Sequence, residues 1–264
     1  MSAPSAPSAP AAPSQGASAR RWPGVLALAT TNLIAALAFA WPLLAPAAPS
    51  QARAAVPYAA LALVPLLVLL AVVMLDGSLR SARTLAMLGT LTAVGAAVRI
   101  AGTGAGGVEL VFIVLILAGR AYGARFAYLL GVLVIAVSSL VSGFGPWTPF
   151  QMMACAWVGA GAGLLPARLR GRAEIAALAA YGALASFGFG LAMNLWFWPF
   201  AIGSGASISY DGDAGLGTNL ASFLAYSLVT STLTWDLVRA VTTVVGVCLA
   251  GPAVLAALRR ARLG

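Results

Sequence analysis

The chain contains no histidine, only two cysteines and only six acidic residues in 264. Each scarcity removes a class of chemistry. Without histidine there is no Ser-His-Asp triad and no histidine-based zinc site. Lysine is absent as well, and a phosphate-binding loop needs its lysine, so the chain is not itself an ATPase. The cysteines, Cys155 and Cys248, both fall inside apolar runs and read as packing residues rather than a disulfide or metal pair. Charged residues make up 8% of the sequence, against about 25% in a soluble domain.

What fills the chain instead is apolar: 61% of residues are hydrophobic. The runs repeatedly approach the roughly 20 residues a helix needs to cross a bilayer. They are continuous rather than alternating, which excludes a β-barrel, and open strands leave backbone groups that lipid does not satisfy. The sequence is therefore that of an all-α polytopic membrane protein in the cell membrane.

Eight spans are expected, at 24–44, 57–75, 83–100, 108–120, 125–142, 150–166, 174–199 and 235–257. The second contains Pro65 and is expected to kink. Residues 1–20 form an Ala/Pro/Ser-rich tail expected to be disordered. Residues 21–80 hold the first two spans, and residues 81–264 the remaining six. The net charge of +9 comes entirely from arginine, placed mostly in short segments between apolar runs. That distribution is the signature of orientation by positive charge on the cytoplasmic side, not of nucleic-acid binding. With both termini in the cytoplasm, only Arg53, Arg99 and Arg239 of the 15 arginines fall outside. The long 200–234 connection then lies outside, its second half apolar enough for a helix on or dipping into the outer leaflet.

The other polar and aromatic residues gather at the outer ends. Arg99 ends the third span and Glu109 begins the fourth. Trp147, Phe150 and Gln151 join the fifth to the sixth, within the Gly143 to Gln151 turn. Asn194, Trp196 and Trp198 end the seventh, and Asp236 and Arg239 begin the eighth. A pocket with apolar walls and a few convergent polar groups is the usual small-molecule design. Each residue also has a plainer reading. Tryptophans gather at membrane interfaces, Arg99 and Glu109 are placed to pair with each other, and Asp236 and Arg239 are placed to pair along one helix face. Asn194 and Glu109, as polar groups within spans, point to a protein interior or cavity.

Small residues recur every four positions at Gly89, Ala93 and Ala97, at Gly182, Ser186 and Gly190, and at Gly159 and Gly163. Such stripes permit close helix approach, within the bundle or against a partner.

Four segments carry a family resemblance: the Ala93-x-x-x-Ala97 helix, the Ala118-Gly119-Arg120-Ala121-Tyr122-Gly123 turn, the run Gly143-Phe144-Gly145-Pro146-Trp147-Thr148-Pro149-Phe150-Gln151-Met152, and Trp235-Asp236-Leu237-Val238-Arg239-Ala240. From about Arg83 to Arg262 the chain resembles the substrate-binding S components of energy-coupling factor (ECF) transporters. The resemblance implies a six-helix bundle, here preceded by two extra transmembrane helices. It implies a vitamin captured from outside, and partnership with a membrane coupling subunit and two cytoplasmic ATPases that alone use ATP. It implies that Gly89, Ala93 and Ala97 dock on the coupling subunit. Metal-ion members rely on histidine, so an organic vitamin is expected, and the Gly-Pro-Trp-Thr-Pro-Phe-Gln variant resembles the actinobacterial type associated with cobalamin-like ligands. The ligand is expected against Trp147, Phe150, Gln151 and Trp196, with Asn194 and Glu109 deeper and Arg99, Asp236 and Arg239 nearby.

Two other readings compete. An intramembrane aspartyl protease needs two carboxylates sharing one site, and Asp211 and Asp213 lie in a polar loop instead, so no enzyme, cofactor or metal is expected. A stand-alone permease or membrane scaffold is the remaining alternative. Inverted repeats would favour a permease, and none is convincing.

Overall fold

A computed structural model describes residues 22–47, 54–76, 81–102, 106–201 and 206–263. The expected tail, the Arg20-Arg21 pair, Arg53 and Arg80 lie outside the described residues.

All regular structure in these residues is helical. Ten α-helices follow in order: α1 (Trp22–Phe39), the single turn α2 (Trp41–Leu44), α3 (Val56–Asp76), α4 (Ala82–Ala101), α5 (Val111–Tyr122), α6 (Ala124–Ser142), α7 (Thr148–Leu164), α8 (Gly171–Ala201), α9 (Leu216–Ser227) and α10 (Leu237–Leu263). A π-helical segment, Leu228–Asp236, joins α9 to α10 without a break.

The helix ends follow from local chemistry. Ser81 caps α4, its hydroxyl accepting from the Thr84 amide at 3.1 Å. Gly123 stops α5 with φ +95°, a conformation that favours glycine, and α6 starts at the next residue. The Gly143 to Gln151 turn is built the same way. Gly143 has φ +90°, and Gly145 donates its amide to the Thr148 hydroxyl at 2.9 Å. Gly145 also lies under the Trp147 ring, where a Cβ would collide with it. Pro149 then falls in the first turn of α7, where its missing N–H costs nothing. Much of the unusual composition of this turn is thus the composition of a tight helix-to-helix connection.

The expectation of eight spans is corrected by the structure. Among the described residues, four helices are long and apolar enough to cross a membrane: Ala82–Ala101, Ala124–Ser142, Gly171–Ala201 and the continuous stretch Leu216–Arg262. The six-plus-two arrangement of spans therefore does not stand. The reason is length. Helix α5 has 12 residues, a rise of only about 18 Å. The 17 residues of α7 rise about 25 Å, and in α1 and α3 the stretches with described side chains, Leu28–Phe39 and Val56–Leu70, fall below span length. The 200–234 connection differs too: its second half is the upper part of the same 47-residue helix that ends at Arg262, not a separate helix lying on the membrane. The chain is a multi-pass, all-helical membrane protein with short helices packed among long ones.

Helices α6 and α7 pack as an antiparallel pair, and α5 lies against α7. Small residues set this contact. A Cβ on Gly131 of α6 would fall 2.6 Å from the Cys155 carbonyl and the Ala156 amide of α7. Gly159 meets Ala127, and Gly163 meets Ala124, one turn further along each time. Helices α8 and α10 form the second antiparallel pair, joined to the first through α5 and α7. Here Gly182 meets Thr243, and Ser186 is fully buried.

The α1–α3 pair packs beside this core, against α6, α7 and α8. Asn32 of α1 anchors it: its Oδ1 accepts from Trp157 Nε1 at 2.6 Å and lies 3.2 Å from the Tyr128 hydroxyl. Phe39 packs edge-on against Phe150 with centroids 4.9 Å apart, and Trp41 donates its indole N–H to the Trp196 carbonyl at 3.0 Å.

Backbone contact at Gly131 leaves no room for a side chain, so Gly131→Val is expected to cost about 1–3 kcal/mol through overpacking. Gly188 of α8 has nothing near its missing Cβ, so Gly188→Ala is expected to be neutral or stabilising by up to about 1 kcal/mol. Thermal melts of the two purified variants in detergent check both. Equal melting temperatures would contradict this account of the packing.

Candidate ligand-binding site

The most unusual feature of the bundle is a guanidinium buried between two carboxylates. Arg239 is 5% exposed and Asp236 is 0% exposed. Arg239 Nη1 donates to Asp236 Oδ1 at 2.7 Å and to the Ser186 carbonyl at 3.2 Å; its Nη2 donates to Glu109 Oε1 at 3.1 Å. The guanidinium carbon lies 5.0 Å from the Phe189 ring and 5.7 Å from the Phe112 ring, within cation–π range. Ser231 donates its hydroxyl to the second Asp236 oxygen at 3.0 Å. Arg239 Nε is buried without a hydrogen-bond partner.

Three pieces of local structure bring these groups together. The first is Gly190 of α8, whose missing side chain makes room for the Asp236 carboxylate. The second is the π-helical segment itself. Its wider turn carries a run of hydroxyls, and Thr230 turns inward on the backbone, donating to the Tyr226 carbonyl at 2.7 Å. Such insertions are often found at functional sites. The third is the turn before α5. Gly107, with φ +89°, lies so close to Trp235 that a Cβ would come within 2.7 Å of its carbonyl. That approach holds Glu109 over Arg239.

A cavity of about 280 Å³ opens beside the cluster. Its polar lining includes Asn194, Thr230, Ser231, Asp236 and Arg239, and Phe189, Met193, Tyr226 and Trp235 form its apolar walls. Asn194 is fixed by donating to the Ser227 hydroxyl at 2.9 Å. Two carboxylates and one guanidinium leave the cluster with one negative charge in excess. Glu109, with a side chain 35% exposed, is the member nearest solvent.

The residues expected to form a site therefore divide. Asn194, Asp236, Arg239 and Glu109 converge. Arg99 and Gln151 form a second, separate pair: Arg99 Nη2 donates to Gln151 Oε1 at 3.0 Å, and Nη1 to the Ser138 hydroxyl at 2.9 Å. Glu109 pairs with Arg239 rather than with Arg99. Phe150 is fully buried and Trp196 is 3% exposed. They stack on each other at 4.3 Å under α1 and do not line the cavity. Trp147 is half-exposed on the surface turn, and Trp198 belongs to a small cluster with Phe223 and Tyr226. Gly89, Ala93 and Ala97 all face outward from α4, whereas the stripes on α7 and α8 are packed inside the bundle. Cys155 is buried between α6 and α7, and Cys248 is exposed.

Ser231, Tyr226 and Phe189 were not expected at the site. The hydroxyl run from Ser227 to Thr234, ending beside Asp236, is the sequence signal that pointed there. At the opposite end, a second buried carboxylate was also missed. Glu174 accepts from Arg120 Nε at 2.5 Å and from Arg259 at 2.6 Å, and is 3% exposed. Burial raises the Tyr122 phenol above the ordinary tyrosine range, with Arg83 and Arg262 pulling it the other way.

The chain matches no family model, no curated protein and no solved structure. Among the described residues, no group of three or more histidine, cysteine or acidic side chains is placed to hold a metal ion.

Breaking a buried ion pair by removing one partner costs about 3–5 kcal/mol. Asp236→Ala is thus expected to lower the melting temperature sharply, and the double variant Asp236→Leu/Arg239→Met is expected to recover much of the loss. A double variant no more stable than Asp236→Ala would contradict the pairing.

Proposed function

We propose that this chain is the substrate-binding membrane component of an ECF-type importer, capturing a compact organic micronutrient from outside the cell. A coupling subunit and two ATPases supply the energy. The observation that carries the reading is the polar cavity at Asp236, Arg239 and Asn194, beside a buried ion cluster in a predominantly apolar bundle. Ionisable groups inside a membrane protein are costly and mark binding sites or pathways.

Other features support it. The chain has no lysine for a phosphate-binding loop, so on this reading ATP hydrolysis falls to the partner subunits. The cavity lies toward the arginine-poor end, while α1 begins and α10 ends at the arginine-rich end. That arrangement fits a plasma-membrane protein with both termini in the cytoplasm. The Gly89, Ala93 and Ala97 stripe is left uncovered, as a face for another membrane subunit would be.

The cavity also narrows the cargo. At about 280 Å³ it is at the small end of ligand sites. A cobalamin-like ligand is larger than this, so the proposal favours a compact ring. The excess negative charge at Asp236 and Glu109, beside the rings of Phe189, Tyr226 and Trp235, favours one that carries an amine or other cation.

Calorimetric titration of the purified full chain with individual vitamins, cobalamin among them, tests the reading. One compact amine-bearing vitamin is expected to bind. Asp236→Asn and Asn194→Ala are each expected to weaken it about tenfold or more, with Trp147→Ala unchanged. Loss of binding in Trp147→Ala with Asp236→Asn unaffected would move the site to the 143–149 turn.

The docking face has its own test. Ala93→Trp is expected to abolish vitamin uptake in cells that also express the partner subunits, while the purified variant still binds ligand. Loss of binding together with uptake would contradict the assignment of this face to coupling.

A further inference from the structure

At the end of the bundle opposite Asp236, two clefts share one residue. The first, of about 580 Å³, is lined by Arg120, Arg170, Arg259 and Arg262 together with Tyr122 and Leu165. The second, of about 650 Å³, runs along the outer surface of α8 and α10. Ile175, Ala176, Cys248, Pro252 and Leu255 form its apolar walls, and Arg172, Glu174 and Arg259 line its polar end.

The first cleft has a large excess of positive charge. Arg120 and Arg259 share the Glu174 carboxylate. Among the described residues, Arg262 donates to the Ala121 carbonyl, at 2.8 Å, and Arg170 to the carbonyls of Ala167 and Leu169. Four guanidiniums thus face one carboxylate, and among the described residues Arg170 and Arg262 meet no acid. Both Arg170 and Arg262 are exposed. A guanidinium fork offers paired donors matched to phosphate oxygens.

Away from that polar end the second cleft is apolar, and it lies on helices long and apolar enough to cross a membrane. Pro252 has no N–H to give the Cys248 carbonyl and interrupts the hydrogen-bond ladder of α10 there. Its depth also depends on Ala176, a small residue on the facing helix. An extended hydrocarbon chain is the ligand that such a surface furrow suits.

The position along the bundle agrees. Gly190, against Asp236, and Glu174, against Arg259, are separated on α8 by roughly 24 Å of helix rise. The hydrocarbon core of a bilayer is about 30 Å thick. The arginine cleft is therefore near the level of one headgroup layer, and the apolar furrow runs from it into the hydrocarbon. Basic pockets between membrane helices are the usual sites for anionic headgroups.

The geometry points to a bound anionic phospholipid, its phosphate held by Arg170, Arg259 and Arg262 and one acyl chain laid along Ile175, Cys248 and Pro252. Neither cleft alone requires a lipid. A soluble phosphate compound would use the first and ignore the second, and the continuity through Arg259 favours the molecule that fills both.

Native mass spectrometry of the full chain in detergent, titrated separately with phosphatidylglycerol and phosphatidylcholine, reads the binding. Phosphatidylglycerol is expected to be retained in preference. Arg170→Gln/Arg262→Gln, which breaks no ion pair, is expected to weaken it about thirtyfold. Cys248→Trp, which fills the furrow, is expected to weaken it while leaving the melting temperature within the range of other surface variants. Equal retention of both lipids, or an unchanged affinity in the double arginine variant, would overturn the proposal. Full displacement of the lipid by inorganic phosphate, with no effect of Cys248→Trp, would assign the cleft to a soluble phosphate compound and overturn the lipid assignment.

Discussion

Taking a guanidinium out of water costs several kcal/mol even after the protein relaxes, and Arg239 is buried inside the bundle toward its arginine-poor end. It is tolerated because Asp236, Glu109 and the Ser186 carbonyl all accept from it, and because two phenylalanine rings cover its faces. Those partners come from three places: the turn before α5, the body of α8 and the end of the π-helical segment. The ion cluster therefore fixes the relative height of these elements. The cavity beside it exists because the π-helical turn is wide and Gly190 has no side chain. Arg239 is thus both a structural tie and a wall of the site, so substitutions there are expected to affect stability and binding together.

Around this cluster, close packing does the rest. Few charged residues are available to hold the helices in register, and lipid provides no hydrophobic drive between them. The chain uses small residues instead. Gly131, Gly159 and Gly163 bring α6 and α7 to backbone contact, and Gly182 makes room on α8 for the Thr243 side chain of α10. Polar groups tie the ends. Asn32 links α1 to Tyr128 and Trp157, and Glu174 links α8 to Arg120 and Arg259. The stripe at Gly89, Ala93 and Ala97 uses the same residue types but is exposed among the described residues, which is why it stands apart from the others.

Composition made the helical membrane class legible, because continuous apolar runs with so little charge leave no other option. Span number was not legible. Hydropathy marks where a segment is apolar, but not whether its helix is long enough, and α5 is as apolar as any true span at 12 residues. Nor does it show that a polar-looking connection continues a helix, as the π-helical segment does between α9 and α10. Half of the candidate site was readable. Asn194, Asp236, Arg239 and Glu109 stood out as ionisable or polar groups in apolar surroundings, and they do meet. The aromatic members misled because tryptophan and phenylalanine serve packing as readily as binding: Phe150 and Trp196 stack under α1. In the Gly143 to Gln151 turn, glycine, proline and threonine look functional but mostly satisfy helix ends.

On the proposed function, the Asp236–Arg239 cavity holds a small organic cargo. The most direct measurement is mass spectrometry of small molecules carried by the full chain purified from cells grown with a vitamin mixture, in parallel with Asp236→Asn. One compact, amine-bearing vitamin is expected at near one per chain, absent from the variant. A chain that carries nothing, or one that carries the same molecule whether or not Asp236 is ionised, would contradict it.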